Sequence, residues 1–349
     1  MADRMRLYTG TDHGLSVWHP SARGWEEAGR LDVDKPVRTM RGSASHPERV
    51  FVGLYSDGVY RTDDAGAHWV KVFDHDYVRA VAIDPDNDDV VYAGTEPVHL
   101  YRSEDRGEHW EELHSLQDFP DEIKVRWRSP AALGRGHVRD IFIQPADPRT
   151  IYLSLEHGGI VRTFDGGATW EDVSSGIDYL DIHMVASLPG RVDRYYAATA
   201  RGFFASDDPG DGWVRAEDGF TRDYFHDFIF LPPVREGDNP TMLIATADKS
   251  PGSWNRPEGA RGALFRSLDC AESWQRVGAG LAESMEENVW AIAAHPGDRD
   301  SAFIGLGRAF RDGTDDGPGT LLVTSDRGDT WQPLSMEMPA VRALWATPE

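Results

Sequence analysis

The sequence has almost no cysteine. Cys270 stands alone in 349 residues, so no disulfide forms within the chain and the fold must hold by packing and hydrogen bonding. Lysine is scarce as well: Lys35, Lys71, Lys124 and Lys249 are four among 36 basic residues. Acid outweighs base, giving a formal net charge of −23. That balance excludes the basic face a nucleic-acid partner needs. Long apolar runs are missing, so no segment reads as a membrane span. The opening Met1-Ala-Asp-Arg-Met-Arg-Leu-Tyr lacks the apolar core of a secretory leader. A cytoplasmic protein with no membrane partner is the expectation. No long segment places apolar residues at i, i+3, i+4 and i+7, so extended helices are not expected either.

What the chain has is tryptophan and glycine, 12 and 35 of them, a composition of short strands and tight turns. One pattern recurs: Ser/Thr-x-Asp-x-Gly-x-x-Trp. It runs Thr62, Asp64, Gly66, Trp69, then Ser103, Asp105, Gly107, Trp110, then Thr163, Asp165, Gly167, Trp170. Two further full copies are Ser206, Asp208, Gly210, Trp213 and Thr324, Asp326, Gly328, Trp331. A near-copy, Ser267, Asp269, Ala271, Trp274, replaces Gly with Ala, and Gly24 with Trp25 is all that remains of a seventh. In each, Asp can accept backbone N–H bonds of a turn, Gly can take a conformation a Cβ hinders, and Trp can bury a ring between sheets. Repetition around the chain makes the motif a requirement of the fold rather than a catalytic feature.

The pattern resembles the Asp-box, or bacterial neuraminidase repeat, and the chain resembles sialidase-like Asp-box β-propellers over essentially its whole length. An all-β, seven-bladed propeller occupying residues 1–349 is therefore expected. Each repeat sits in a four-stranded meander, which is one blade. In the third, strand a is Val78–Ile83, strand b Val90–Gly94, strand c Leu100–Ser103 and strand d Trp110–Leu113. Equivalent a strands begin at Val37, Val78, Val138, Ile182, Phe225, Val289 and Val341. The last has no partners after it, and the chain opens on a b strand, Arg6–Gly10. The C-terminal strand should thus complete the N-terminal blade and remove an open sheet edge.

The a–b and c–d turns of such meanders share one face, called lower here; the b–c and d–a loops share the upper face. Three long upper loops, 114–136, 248–262 and 307–319, point to function there. The second residue of the a strands reads Arg38, Arg79, Arg139, His183, His226, Trp290 and Arg342. These seven should ring the upper channel mouth and bind a ligand, unless each pairs with an acid such as Asp76, Asp140, Asp181, Asp227 or Glu287. Trp127, Trp254, Trp290 and Tyr55 could offer stacking surfaces or simply pack the loops. Histidines 13, 75, 99, 137, 157, 183 and 226 fall in upper-face segments. His157, His183 and His226 are candidate ligands of a transition metal, although their spacing matches no compact metal motif.

The resemblance to true sialidases stops short of their chemistry. Their Arg-Ile/Leu-Pro motif is absent and they have six blades. Among Asp-box proteins the chain is most similar in style to the single-propeller photosystem II assembly-factor-like group, which implies partner binding. Two functions follow. One is a propeller that holds an anionic small molecule, glycan or peptide at its mouth. The other is a glycoside hydrolase or lyase, metal-dependent or not, acting at the same mouth. A hydrolase would need two carboxyl groups facing one another across the scissile bond.

Overall fold

The computed structural model of the protein describes residues 5–129, 134–254, 256–308 and 317–349. Seven sheets, each built on a four-stranded meander, stand in a ring, as the repeat predicts; that of blade 7 gains a fifth short strand, Met338–Pro339, paired with Pro318–Thr324. Blade 1 takes its three outer strands from the start of the chain, Met5–Thr11, Gly14–Ser21 and Gly24–Leu31. Its innermost strand is the end of the chain, Ala343–Pro348. The two pair antiparallel from Met5 opposite Pro348 to Gly10 opposite Ala343, so the expected closure is present. Blades 2 to 7 follow in order over 37–73, 78–112, 137–172, 182–215, 224–277 and 288–333. Of the long upper loops, residues 130–133, 255 and 309–316 lie outside the described residues. The first loop carries a 3-10 turn, His114–Asp118, and one helical turn, Asp121–Lys124. Leu116, Phe119 and Trp127 anchor it in the core between blades 3 and 4.

The second strand of each blade lies between two neighbouring sheets, which is why Val50–Leu54, Val91–Thr95, Tyr195–Thr199 and Thr241–Ala247 are buried at every residue. A small residue recurs at one register there: Gly10, Gly53, Gly94, Ser154, Ala198, Ala245 and Gly305. A Cβ on Gly10, Gly94 or Gly305 would stand 2.4–2.5 Å from Val37, Val138 or Val341, apolar residues at the start of the next innermost strand or just before it. Small side chains at this register let adjacent blades approach closely beside the channel.

The recurring turn explains the outer edge. In five copies the Ser or Thr hydroxyl donates to the Asp carboxylate at 2.7–2.9 Å. The same hydroxyl accepts the N–H four residues on, and the carboxylate accepts the N–H four residues beyond itself. Two consecutive positive φ angles make this possible, for example 64° at Arg106 and 87° at Gly107; Ala271 adopts 67° in place of Gly. The Ser206 copy departs from the others. Pro209 occupies the first left-handed position, and its ring fixes φ near −65°. There Ser206 donates to the Gly212 carbonyl and Asp208 turns to Arg162. The tryptophans then join blades: the indole N–H of Trp110, Trp213 and Trp274 donates to Val72, Val173 and Ala216 carbonyls of the preceding blade. Trp25, though its turn has eroded, packs edge-on against Phe303 of blade 7.

Two outcomes follow. Deleting residues 340–349 strips blade 1 of its innermost strand, so size-exclusion chromatography should show aggregation and thermal scans no cooperative transition. A truncated chain that melts with the intact protein would refute the closure. The turn carboxylates also titrate. Side-chain and backbone donors from His109 and Thr169 hold Asp105 and Asp165 at about 2, against 3.8 ordinarily. A carboxylate whose folded value is depressed stabilises above the unfolded value and stops doing so as pH falls through the folded one. Melting temperature should therefore drop between about pH 4 and pH 2, and the drop should be smaller in an Asp105→Asn, Asp165→Asn double variant.

Candidate functional site at the channel mouth

Antiparallel strands pair residue for residue unless a bulge inserts an extra one. In six of the seven innermost strands the register skips one residue: between Val37 and Thr39, Val78 and Ala80, Val138 and Asp140, Ile182 and Met184, Phe225 and Asp227, and Val289 and Ala291. The residues left out of the ladder are Arg38, Arg79, Arg139, His183, His226 and Trp290. They are the ring positions singled out in the sequence. The seventh, Arg342, precedes its strand, and its N–H bonds to the Gly10 carbonyl. A bulge frees a residue from the alternation of the pleat and re-aims its side chain. Arg38, Arg139, His183, His226, Trp290 and Arg342 line one narrow polar funnel of about 90 Å³.

Arg79 does not join them. It turns to Glu96, to whose Oε2 its Nε donates at 3.0 Å, with a second, shorter bond from Nη2. Its guanidinium lies 4.4 Å from the Tyr55 ring centroid, and Arg38 lies over the same ring at 5.8 Å. Tyr55 is thus occupied by the protein's own cations. The acids that answer the arginines are not Asp76, Asp140, Asp181, Asp227 or Glu287. They come from the upper ends of the second strands. Asp12 takes Arg38 at 3.1 Å and Arg342 at 2.7 Å. Fully buried Glu96 takes Arg79 and, at 3.6 Å, Arg135. Glu156 lies 3.9 Å from Arg139. Arg38, buried between neighbours, is drawn down to about 10 by desolvation and by the charges of Arg79 and Arg342, and so stays a cation at neutral pH.

The two ring histidines are neutral. His183 Nδ1–H donates to the Phe225 carbonyl at 2.6 Å, and burial pulls its pKa down to about 4. His226 accepts from Arg139 Nη2 through Nε2 at 3.1 Å, which puts its proton on Nδ1; burial and Arg139 push its pKa well below the ordinary value. The rings lie 5.7 Å apart. With Nε2 of His226 committed to a guanidinium, His157, His183 and His226 do not converge as a metal triad. Among the described residues, the group that does converge is Glu156, His157 and Asp181, whose ligand atoms lie within 4.8 Å of one another. Burial, then the charge of Glu156, push the Asp181 carboxyl up to about 8. Glu156 is held low despite burial by His137, which donates to it at 2.9 Å, and by Arg139.

The aromatic candidates are inward-facing. Trp127 packs on Phe119, and Trp254 on Tyr224 and Trp290. Trp290 donates to the Gly307 carbonyl and carries Arg342 over its ring at 4.9 Å. His13, His75 and His99 lie apart: His13 on Asp34, His75 stacked on Phe73, His99 on Glu112. Below the funnel, Arg41 of blade 2 reaches across to Asp140 of blade 4 at 3.1 Å. Beyond this pair the channel widens toward the lower face into a cavity of about 770 Å³ lined by Ile141, Phe142, Met184, Phe228, Phe230 and Trp345. Desolvation pushes Asp227, beside the same pair, up to about 6. Sequence reasoning missed Asp12, Glu96, Arg135 and Arg41. An acid closing strand b at the upper face was the available signal for Asp12, Glu96 and Glu156.

No family model matches the chain. The oligoxyloglucan-reducing end-specific xyloglucanase of Emericella nidulans is 25% identical over 212 residues, 57% of this chain and 24% of its own. The chain thus spans about a quarter of the length of that curated relative. Among solved structures it is similar to the Niastella koreensis GH74 enzyme, with a TM-score of 0.62 and 16% identity over 93% of this chain and 46% of that one. The GH74 xyloglucanase of Xanthomonas campestris gives 0.58 and 15%, over 97% and 67%. YCF48 bound to a D1 peptide gives 0.55 and 16%, over 86% and 81%. At these identities the likeness is one of fold.

The histidine assignment has a direct check. Long-range ¹H–¹⁵N spectra should show His183 and His226 as neutral Nδ1–H tautomers from pH 8 to pH 6, with His183 gaining a proton only near pH 4. A histidine whose folded value lies below its ordinary 6.5 binds fewer protons folded than unfolded, so stability falls as pH drops from about 6.5 toward 4. An imidazolium signal from either ring at pH 7 would contradict the assignment.

Proposed function

We propose that the protein binds an anionic small molecule or the anionic part of a peptide at the upper channel mouth. Arg139 makes the leading contact, and Arg38, Arg342, His183, His226 and Trp290 form the walls. The observation that carries this reading is the state of Arg139. Its side chain is 26% exposed in the funnel. One arm bonds to a neutral imidazole, and its nearest carboxylate among the described residues stands at 3.9 Å. A guanidinium is shaped for two parallel bonds to a carboxylate or phosphate. Arg139 therefore keeps recognition capacity that Arg79, committed to Glu96, does not. Since the protein as a whole carries −23, an anion gains nothing from long-range steering, and recognition is local.

The YCF48 likeness supports a peptide ligand, since that propeller is described with a peptide bound and this chain spans 81% of it. The xyloglucanase likenesses support a glycan and the glycoside hydrolase reading. They do so more weakly, because the chain spans 46% of the Niastella koreensis enzyme and 24% of the curated one. The binding reading is therefore the one favoured.

The test is calorimetric titration with citrate, with tri-alanine as the free acid and with tri-alanine amide. The free acid should bind at least about tenfold more tightly than the amide, a difference of about 1.4 kcal/mol. Arg139→Met should lose at least that factor for citrate and the acid while melting like the parent. Absence of binding by every probe, equal binding of acid and amide, or undiminished binding by Arg139→Met would each overturn the reading.

A further inference from the structure

We infer that Glu156, His157, Asp181 and His183 form a binding site for a divalent first-row transition ion, set in the upper wall between blades 4 and 5. The site shares His183 with the funnel wall but includes neither Arg139 nor His226, and its test, read at His157 and Asp181, stands or falls apart from the anion reading.

The backbone brings these residues together at two adjoining corners. Glu156 ends the second strand of blade 4, Ile151–Glu156, and His157 follows it at the tip of the turn with φ of 59°. Asp181 immediately precedes the innermost strand of blade 5, Ile182–Ser187, and His183 is that strand's bulged residue. The Asp181 carboxylate then lies between two imidazoles. His157 Nε2 stands 3.5 Å from Oδ2, and His183 Nε2 stands 3.6 Å from Oδ1.

These separations are too long for good hydrogen bonds. Oδ1 is buried with no hydrogen-bond partner among the described residues, in a side chain 11% exposed and a residue 8% exposed. An arrangement serving only to satisfy that carboxylate would close to about 2.8 Å, as His13 does on Asp34. Ligands of a four-coordinate ion behave otherwise. With metal–nitrogen and metal–oxygen bonds of about 2.0–2.2 Å, a tetrahedron holds its donor atoms about 3.4 Å apart. The His157–Asp181 spacing matches that geometry, and Glu156 falls within the same 4.8 Å cluster as these two; His183, opposite the other carboxylate oxygen, lies outside that cluster and would have to turn toward the ion to complete four ligands.

The surroundings orient the donors. His183 gives its Nδ1 proton to the Phe225 carbonyl, which leaves the Nε2 lone pair toward Asp181. His137 donates to Glu156 Oε2 at 2.9 Å, fixing that carboxylate and leaving Oε1 for an ion. Backing of this kind sets tautomer and ring angle in metal sites. Two carboxylates balance a dication, and imidazole ligands favour zinc, iron, copper or nickel over magnesium and calcium.

The experiment uses the full chain, stripped with chelator and dialysed against zinc or cobalt(II). Elemental analysis should give about one ion per chain, and the cobalt form should show the intense visible bands of four-coordination. Asp181→Asn and His157→Ala should each weaken binding at least about tenfold, whereas His13→Ala, on a distant exposed pair, should not. His157→Ala removes a partly exposed side chain, so it keeps the test decisive if Asp181→Asn fails to fold. Substoichiometric metal in the parent protein, weak octahedral cobalt bands, or unchanged binding in His157→Ala would overturn the site.

Discussion

Seven sheets can surround an axis only if the first and last are held together, and here the connection is made by main-chain pairing between the two ends of the chain. Met5 to Gly10 lie against Ala343 to Pro348, and Trp25 of blade 1 packs against Phe303 of blade 7. Closure covers the inner edge of Met5–Thr11, which would otherwise stand open. It also fixes how far each blade stands from the axis, because the small residues of the second strands set the spacing to the next blade. The mouth inherits its dimensions from these contacts. Arg342 illustrates the dependence: it reaches the funnel because its N–H is held by Gly10, and its guanidinium meets Asp12 two residues further on.

The mouth is also an electrostatic arrangement in a small space. Five arginines, Arg38, Arg79, Arg135, Arg139 and Arg342, share Asp12, Glu96 and Glu156 among the described residues. Like charges this close are tolerable because each guanidinium has an answering carboxylate, an aromatic face or a neutral imidazole. Two of those carboxylates, Asp12 and Glu96, face two cations each. The histidines take part as neutral donors and acceptors, since burial makes an imidazolium costly beside Arg139.

The architecture was legible because a propeller repeats its logic. Six copies of the turn motif and seven apolar a strands gave blade number, strand order and closure, and the innermost strands begin within two residues of the expected points. The ring positions were legible too, since an arginine or histidine interrupting an apolar strand at the same place six times in seven, with Trp290 at the remaining one, is a strong pattern. What escaped was physical detail beyond sequence neighbourhood. The counter-charges lie on the adjoining strand, across a hairpin rather than beside the arginines. Pro209 could have signalled that the Ser206 turn would differ, because proline cannot adopt a left-handed φ. The grouping of His157 and His183 around Asp181, with His226 facing Arg139, depends on rotamers that periodicity does not encode.

The bulges have a bearing on how such a protein can change. A residue within a strand is constrained twice, by the pleat and by packing between blades. The bulged residue is released from the ladder, and the hydrogen bonds that define the sheet run on either side of it. Arginine, histidine and tryptophan already occupy equivalent places without altering the strand that carries them. The ring thus behaves as a set of interchangeable sockets on an invariant frame. Selection can rewrite what the propeller recognises one blade at a time while leaving the architecture that presents it intact.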